Sequence, residues 1–216
     1  SGDELVGLAP LLDDREGALG CPDCLVTPVN PHARRCSVLA AGDPEPVVAA
    51  VLDHLDGTRR GSRMRLRCCD ASTPVVAAIE GRGPRSLIRQ KGESPVVRLD
   101  GDWEGYLASR PRHLRHELSR KLKRLETEWD AKWVCVGDVG GAERAMTEVL
   151  RIERNSWKHL EGTSLVSEPG AAGFYGRIVR PAATAGWLRI ELLYLDGRPV
   201  AHILGVVFRG TYYALK

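Results

Sequence analysis

Proton-transfer chemistry is within reach of four residues in the last third of the chain: Glu153, Glu191, His202 and Tyr213. A carboxylate or imidazole serves as a general base, and a phenol as a general acid, once burial or a neighbouring charge tunes it. Each also has a plainer explanation. Glu153 fits a solvated helix face paired with Arg151 or Lys158. Glu191, alternating with Arg189 along a strand, fits a cross-strand ion pair. His202 stands alone in an apolar strand, where a histidine is often a hydrogen-bonded core residue. Tyr212 and Tyr213 point to opposite faces of one strand, so only one can face a cleft, and packing accounts for either. Close to Glu153, Trp157 suits the apolar wall of an acceptor pocket or a core position, and Lys158 suits an anionic substrate group.

A second cluster, Cys21-x2-Cys24-x7-His32-x3-Cys36, offers four soft ligands in a Pro-rich loop, compatible with tetrahedral zinc. The spacing matches no common zinc finger, and metal is not the expectation here. With no secretory signal and a long chain, reduced thiols are the default for the six cysteines. Cys68 and Cys69 are adjacent in a strand and point to opposite faces, so they cannot share one site. A third feature is the run from Arg110 to Arg124. It holds Arg110, Arg112, Arg115, Arg120, Lys121, Lys123 and Arg124 against the single acid Glu117. Either this is a solvated helix face, or it meets an anionic partner such as a phosphorylated carrier, a nucleotide-sugar or tRNA, with Arg115 among the contacts. No aromatics interleave with these cations, which argues against base stacking.

The 216 residues suffice for one large domain or two small ones, and 43% hydrophobic with 27% charged residues is ordinary for a globular protein. The formal charge of +3 does not by itself imply nucleic acid. Frequent Arg beside scarce Phe and Met is a habit of GC-rich bacterial genomes. No segment approaches the roughly 20 apolar residues of a membrane span, and the N-terminus carries no basic-then-apolar leader. A cytoplasmic protein with no membrane partner is the expectation.

The elements that must position these side chains can be read in order. Residues 4–12 read as an apolar strand, and 17–36 as loop with a short strand at Cys24–Thr27. Residues 44–56 read as a helix stopped by Gly57, 63–69 as a strand, 72–80 as a helix with Pro74 in its first turn, and 94–99 as a strand. A long helix follows from Ser109–Pro111, with Leu114, Leu118, Leu122, Leu125 and Trp129 spaced by three or four. After a strand at 132–136 comes a helix at 141–157 burying Met146, Val149, Leu150 and Trp157, then a helix at 169–184. Residues 187–195 alternate as a strand, Asp196-Gly197 marks a two-residue hairpin, and 199–208 returns with the apolar character of a strand buried on both faces. Arg209-Gly210 turns again into a strand at 211–216, after which nothing follows in this sequence, suggesting a piece of something longer. The class is α+β.

Strand, helix, helix and antiparallel meander is the order of the first half of a GNAT fold. The residues sharpen the likeness: Glu153–Lys158, Gly162-Thr163-Ser164, Phe174-Tyr175, Gly186-Trp187-Leu188, Leu195–Ala201 and Tyr212–Lys216 resemble the CelD-like (cellulose-biosynthesis) branch of GNAT-type acyltransferases, distant relatives of Fem-type aminoacyltransferases. The resemblance is dense from about Arg151 onward, moderate over Trp103–Leu125 and weak before that. It implies a central, mostly antiparallel sheet flanked by helices in two tandem, incomplete lobes: 1–100 a partial first lobe, 101–130 a basic linking helix, 131–216 a partial second lobe. It also implies acyl transfer from a thioester, most simply acyl-CoA, to the amino group of a small molecule or envelope precursor. Glu153, Glu191, His202 and Tyr213 would then supply the acid–base chemistry, while Trp157, Lys158, Trp187 and Arg115 would contact substrate. The family's Gly-rich pyrophosphate loop follows the fourth strand and is not found after Lys216. The earlier stretches Arg59–Arg63 and Gly81-Arg82-Gly83 match it weakly. Fem-type transfer from aminoacyl-tRNA and a non-catalytic GNAT-like module are the alternatives.

Overall fold

Turns and caps set several of the element boundaries in this chain. The computed structural model describes residues 4–14, 24–29, 32, 36–58, 63–81, 86–90 and 92–216, in two compact units, 1–94 and 95–216. In the first unit, β1 (Gly7–Leu8), β2 (Leu12–Asp14), β3 (Cys24–Val26) and β4 (Leu39–Ala40) precede α1 (Pro44–Thr58), β5 (Arg63–Arg65) and α2 (Pro74–Glu80). β1 pairs antiparallel with β4, while β3 pairs antiparallel with β2 and parallel with β5. Val48, Leu52 and Val75 form a small core. The single strand expected at 4–12 is therefore two strands with different partners. The strand expected at 63–69 ends at Arg65, and Cys68 takes the left-handed conformation, φ 58°, which no strand continues through. α1 runs past Gly57 to Thr58. Most of the 17–36 loop, together with 59–62 and 82–85, lies outside the described residues.

Residues 94–99, where the first unit gives way to the second, form no strand, and Val96, Val97 and Leu99 are exposed. A short helix missed by periodicity, α3 (Trp103–Ala108), starts where the Asp102 side chain accepts a hydrogen bond from Gly105 N–H at 2.8 Å. α4 (Arg112–Glu128) follows; its leucine stripe is not a core stripe, since no residue of α4 is buried.

The main body is one antiparallel sheet, β6 (Ala131–Val136), β7 (Leu188–Leu195), β8 (Arg198–Phe208) and β9 (Thr211–Ala214), in sequence order. Both hairpins use two residues of positive φ, Asp196-Gly197 and Arg209-Gly210, the geometry that matches strand twist. Between β6 and β7 lie α5 (Val139–Arg154), α6 (Trp157–Leu160) and α7 (Ala171–Thr184). Asp138 caps α5 by accepting from Gly141 N–H at 2.8 Å.

Period 2 in the strands sends Leu188, Ile190, Leu192 and Leu204 to one face, where they pack with Val149 of α5 and Tyr175 and Val179 of α7 in a single core. The opposite face carries Trp133, Ile203 and Tyr212, all substantially exposed. The expectation that β8 is buried on both faces thus fails: Leu204 and Gly205 are its buried residues, and Ile203 is 48% exposed. Among the described residues, the core helices cover one side of the sheet.

Because Ile190 is fully buried at the centre of that core, Ile190→Ala is expected to cost about 3–4 kcal/mol. The check is urea unfolding, read as a lower midpoint at unchanged slope.

Candidate functional site

Along α5 the buried positions are Ala142, Ala145, Met146, Val149 and Glu153. Apart from the adjacent Ala145 and Met146, these are steps of three and four, which put Glu153 on the core stripe. A carboxylate there must be neutralised by partners or protonated. It has partners on both oxygens. Leu165 N–H donates to Oε2 at 2.8 Å, while Oε1 accepts from His202 Nε2 at 3.0 Å and lies 3.4 Å from Lys158 Nζ. The glutamate side chain is 1% exposed, His202 5% and Lys158 35%.

His202 arrives by sheet register. It lies opposite Leu192, so both side chains share the helix-covered face, and the end of α5 lies over it. Leu165 is fixed by its loop. Ser164 and Ser167 bond through their hydroxyls at 2.6 Å, each backbone N–H donates to the other's oxygen, and His159 Nδ1 is 3.2 Å from Ser164 Oγ. Lys216 Nζ donates to Thr163 O at 3.4 Å, bringing a second ammonium group to the same loop.

These contacts set the protonation states. Burial pushes the Glu153 carboxyl up, but the Leu165 N–H, the His202 hydrogen bond and the Lys158 charge together outweigh it and hold the pKa below its ordinary value. Burial pushes His202 down, and the attraction of Glu153 does not compensate; Lys158 and Lys216 push the same way. At neutral pH the pair is therefore a carboxylate and a neutral imidazole. Nε2–H donates to Glu153, so Nδ1 carries the lone pair. Nδ1 is buried with no hydrogen-bond partner among the described residues. Protonating His202 would leave a buried N–H unsatisfied there.

The other sequence candidates scatter. Tyr213 pairs with Val206 in register, which places it on the same sheet face as His202. Glu191 stands on the opposite face, directly across from Cys135. Burial and then the Glu191 hydrogen bond raise the Cys135 thiol; burial and then the Glu191 charge raise the Tyr212 phenol. Glu191 and Glu153 thus do not share one cleft. Trp157 does not join the core: α5 stops at Arg154, Ser156 restarts the chain as α6, and the indole is 64% exposed. Trp187 is half exposed and meets the Phe208 ring edge-on at 5.0 Å. Arg115 lies on exposed α4. Sequence reasoning missed the Leu165 N–H and the Ser164–Ser167 lock, because a backbone donor leaves no mark in residue type.

For zinc, Cys21 lies outside the described residues, and Cys24 is disulfide-bonded, which corrects the reduced-thiol default and removes a ligand. Cys36, Cys68, Cys69 and Cys135 are free. Among the described residues no group of three or more His, Cys, Asp or Glu side chains is placed to hold a metal ion, and no helix is long and apolar enough to cross a membrane.

Residues 112–216 match the family model of an acetyltransferase (GNAT) domain. Comparison with curated proteins and with solved structures gave no match. The matched region runs from α4 to the end of the sequence and contains Glu153, Lys158, His202 and Tyr213. It supports the GNAT superfamily, and the mixed α+β architecture agrees with a GNAT-like fold.

Since the folded pKa of His202 lies below the unfolded value of 6.5, the unfolded chain binds the extra proton. His202 therefore contributes stability above about pH 6.5 that is lost as pH falls. Urea midpoints are expected to drop between pH 7.5 and 5 more steeply for the wild type than for His202→Gln. Equal slopes would contradict the assignment.

Proposed function

We propose that the protein is an N-acyltransferase that moves an acyl group from an acyl thioester, most simply acyl-CoA, to an amino group. The observation that carries this is the neutral His202 oriented by a buried Glu153 inside a region with GNAT-domain similarity. Attack of an amine on a thioester needs a base for the ammonium proton and a proton for the leaving thiolate. His202 Nδ1 is the candidate base; it is buried in the free protein, so an acceptor amine must reach it and partner the N–H that forms. Glu153 fixes its tautomer and ring orientation, and the carboxylate stabilises the imidazolium that forms. Lys158, the most exposed of the three side chains, sits where an anionic group on the acceptor would be held. Tyr213, on the same sheet face, is the candidate proton donor. The thioester is already activated, so positioning carries much of the rate.

Placement in the CelD-like branch rests on the motifs from Glu153 to Lys216. In that reading residues 1–100 are a partial first lobe, 101–130 the connecting helix and 131–216 a partial second lobe. The acceptor is a small-molecule amine or an envelope or metabolite precursor.

The test is thiol release from acyl-CoA by the full-length protein across a panel of amines. Amine-dependent release is expected, with kcat reduced about 10²–10⁴-fold in His202→Gln and KM for the amine raised in Trp157→Ala. Transfer only from aminoacyl-tRNA would favour the Fem-type alternative. Absence of both would favour a non-catalytic module.

A further inference from the structure

α4 is an amphipathic helix that nothing in its own unit covers. At 100° per residue, Leu114, Leu118, Leu122 and Leu125 fall within about 80° of arc. Leu114 and Leu122 are 43% and 39% exposed, Leu118 and Leu125 half-buried, and Trp129, just past the helix end, is also exposed. Arg115 and Lys121 border this stripe, one on each side. Over residues 112–128, Arg112, Arg115, Arg120, Lys121, Lys123 and Arg124 face Glu117, Glu126 and Glu128, an excess of three positive charges. Lys121 and Arg124 are taken up by Glu117 and Glu128 within the helix, at 2.8 and 2.9 Å. Arg112, Arg115, Arg120 and Lys123 have no carboxylate within ion-pair distance among the described residues.

The two features together select the occupant. A second copy of α4 would cover the leucines but would bring like-charged helices together. A nucleic acid would take up the cations but leave the leucines in water. An anionic lipid surface satisfies both, since leucines enter the acyl boundary, Arg115 and Lys121 beside them reach the headgroups, and the cations of the polar face add attraction to the negative surface. We propose that α4 lies in the interface of an anionic membrane, docking the protein on the bilayer without spanning it. The expectation of no membrane partner came from the lack of a spanning segment, which does not bear on a helix lying in the surface. The proposal is independent of the acyltransferase reading.

The test is co-sedimentation of the full chain with phosphatidylcholine vesicles with and without about 30% phosphatidylglycerol. Binding to the anionic vesicles is expected, about 10-fold or more weaker to the neutral ones and weakened by salt. The triple change Arg115→Gln, Arg120→Gln, Lys123→Gln and, separately, Leu114→Ser with Leu122→Ser are each expected to weaken it about 10-fold. Circular dichroism checks that the variants stay folded, and the lipid and salt dependence of the wild type stands without them. No binding to anionic vesicles overturns the proposal. So does binding that survives the leucine changes, tRNA binding that survives them, or a leucine-dependent dimer that excludes vesicles.

Discussion

The Glu153 carboxylate is the group around which the second unit is organised. Taking a carboxylate out of water costs several kcal/mol even after relaxation, and the Leu165 N–H, His202 and Lys158 together offset that cost and keep it ionised. Those three partners come from different parts of the chain: the loop after α6, the middle of β8 and the first turn of α6. Their convergence fixes where α5 ends, how the 162–167 loop folds and which way the His202 ring points. The serine pair at Ser164 and Ser167 locks the loop that presents the Leu165 N–H to Glu153.

The sheet then sorts the remaining chemistry by parity. From Ala201 onward, past the register shift at Leu193/Tyr194, the even-numbered residues of β8, His202 and Leu204 among them, face the helices with Leu192 and Ile190 of β7, and the odd-numbered ones face away with Glu191 and Arg189. Glu191, Cys135 and Tyr212 therefore form a separate group on the open face. Tyr212 lies over Gly205, and a side chain at that glycine would displace the ring. A neutral imidazole with an uncommitted Nδ1 occurs on the covered side, and this supports placing proton transfer there.

Much of this arrangement was legible in the sequence. The two Gly-containing turns, the meander and the helices around residues 146 and 175 follow from periodicity and turn chemistry. Glu153 was legible as a candidate base, but its burial was not: the solvated helix face that its charge suggested is replaced by a place on the core stripe four residues after Val149. What did not show was tertiary in origin. Residues 94–99 have the β-branched content of a strand but form none, and Trp157 matches a helix that breaks at Asn155. β8 reads as buried twice because its apolar content does not reveal that the core helices lie on one side. The leucines of α4 mimic a core stripe, and only their exposure separates the two.

The central claim is that burial keeps His202 neutral against the pull of Glu153, which holds the imidazole proton on Nε2. Nitrogen NMR of the histidine-labelled protein across pH 4 to 8 measures this directly. The account predicts an Nε2–H tautomer for His202 at neutral pH and a midpoint below 6.5. An Nδ1–H tautomer, or a midpoint above 6.5, would contradict it.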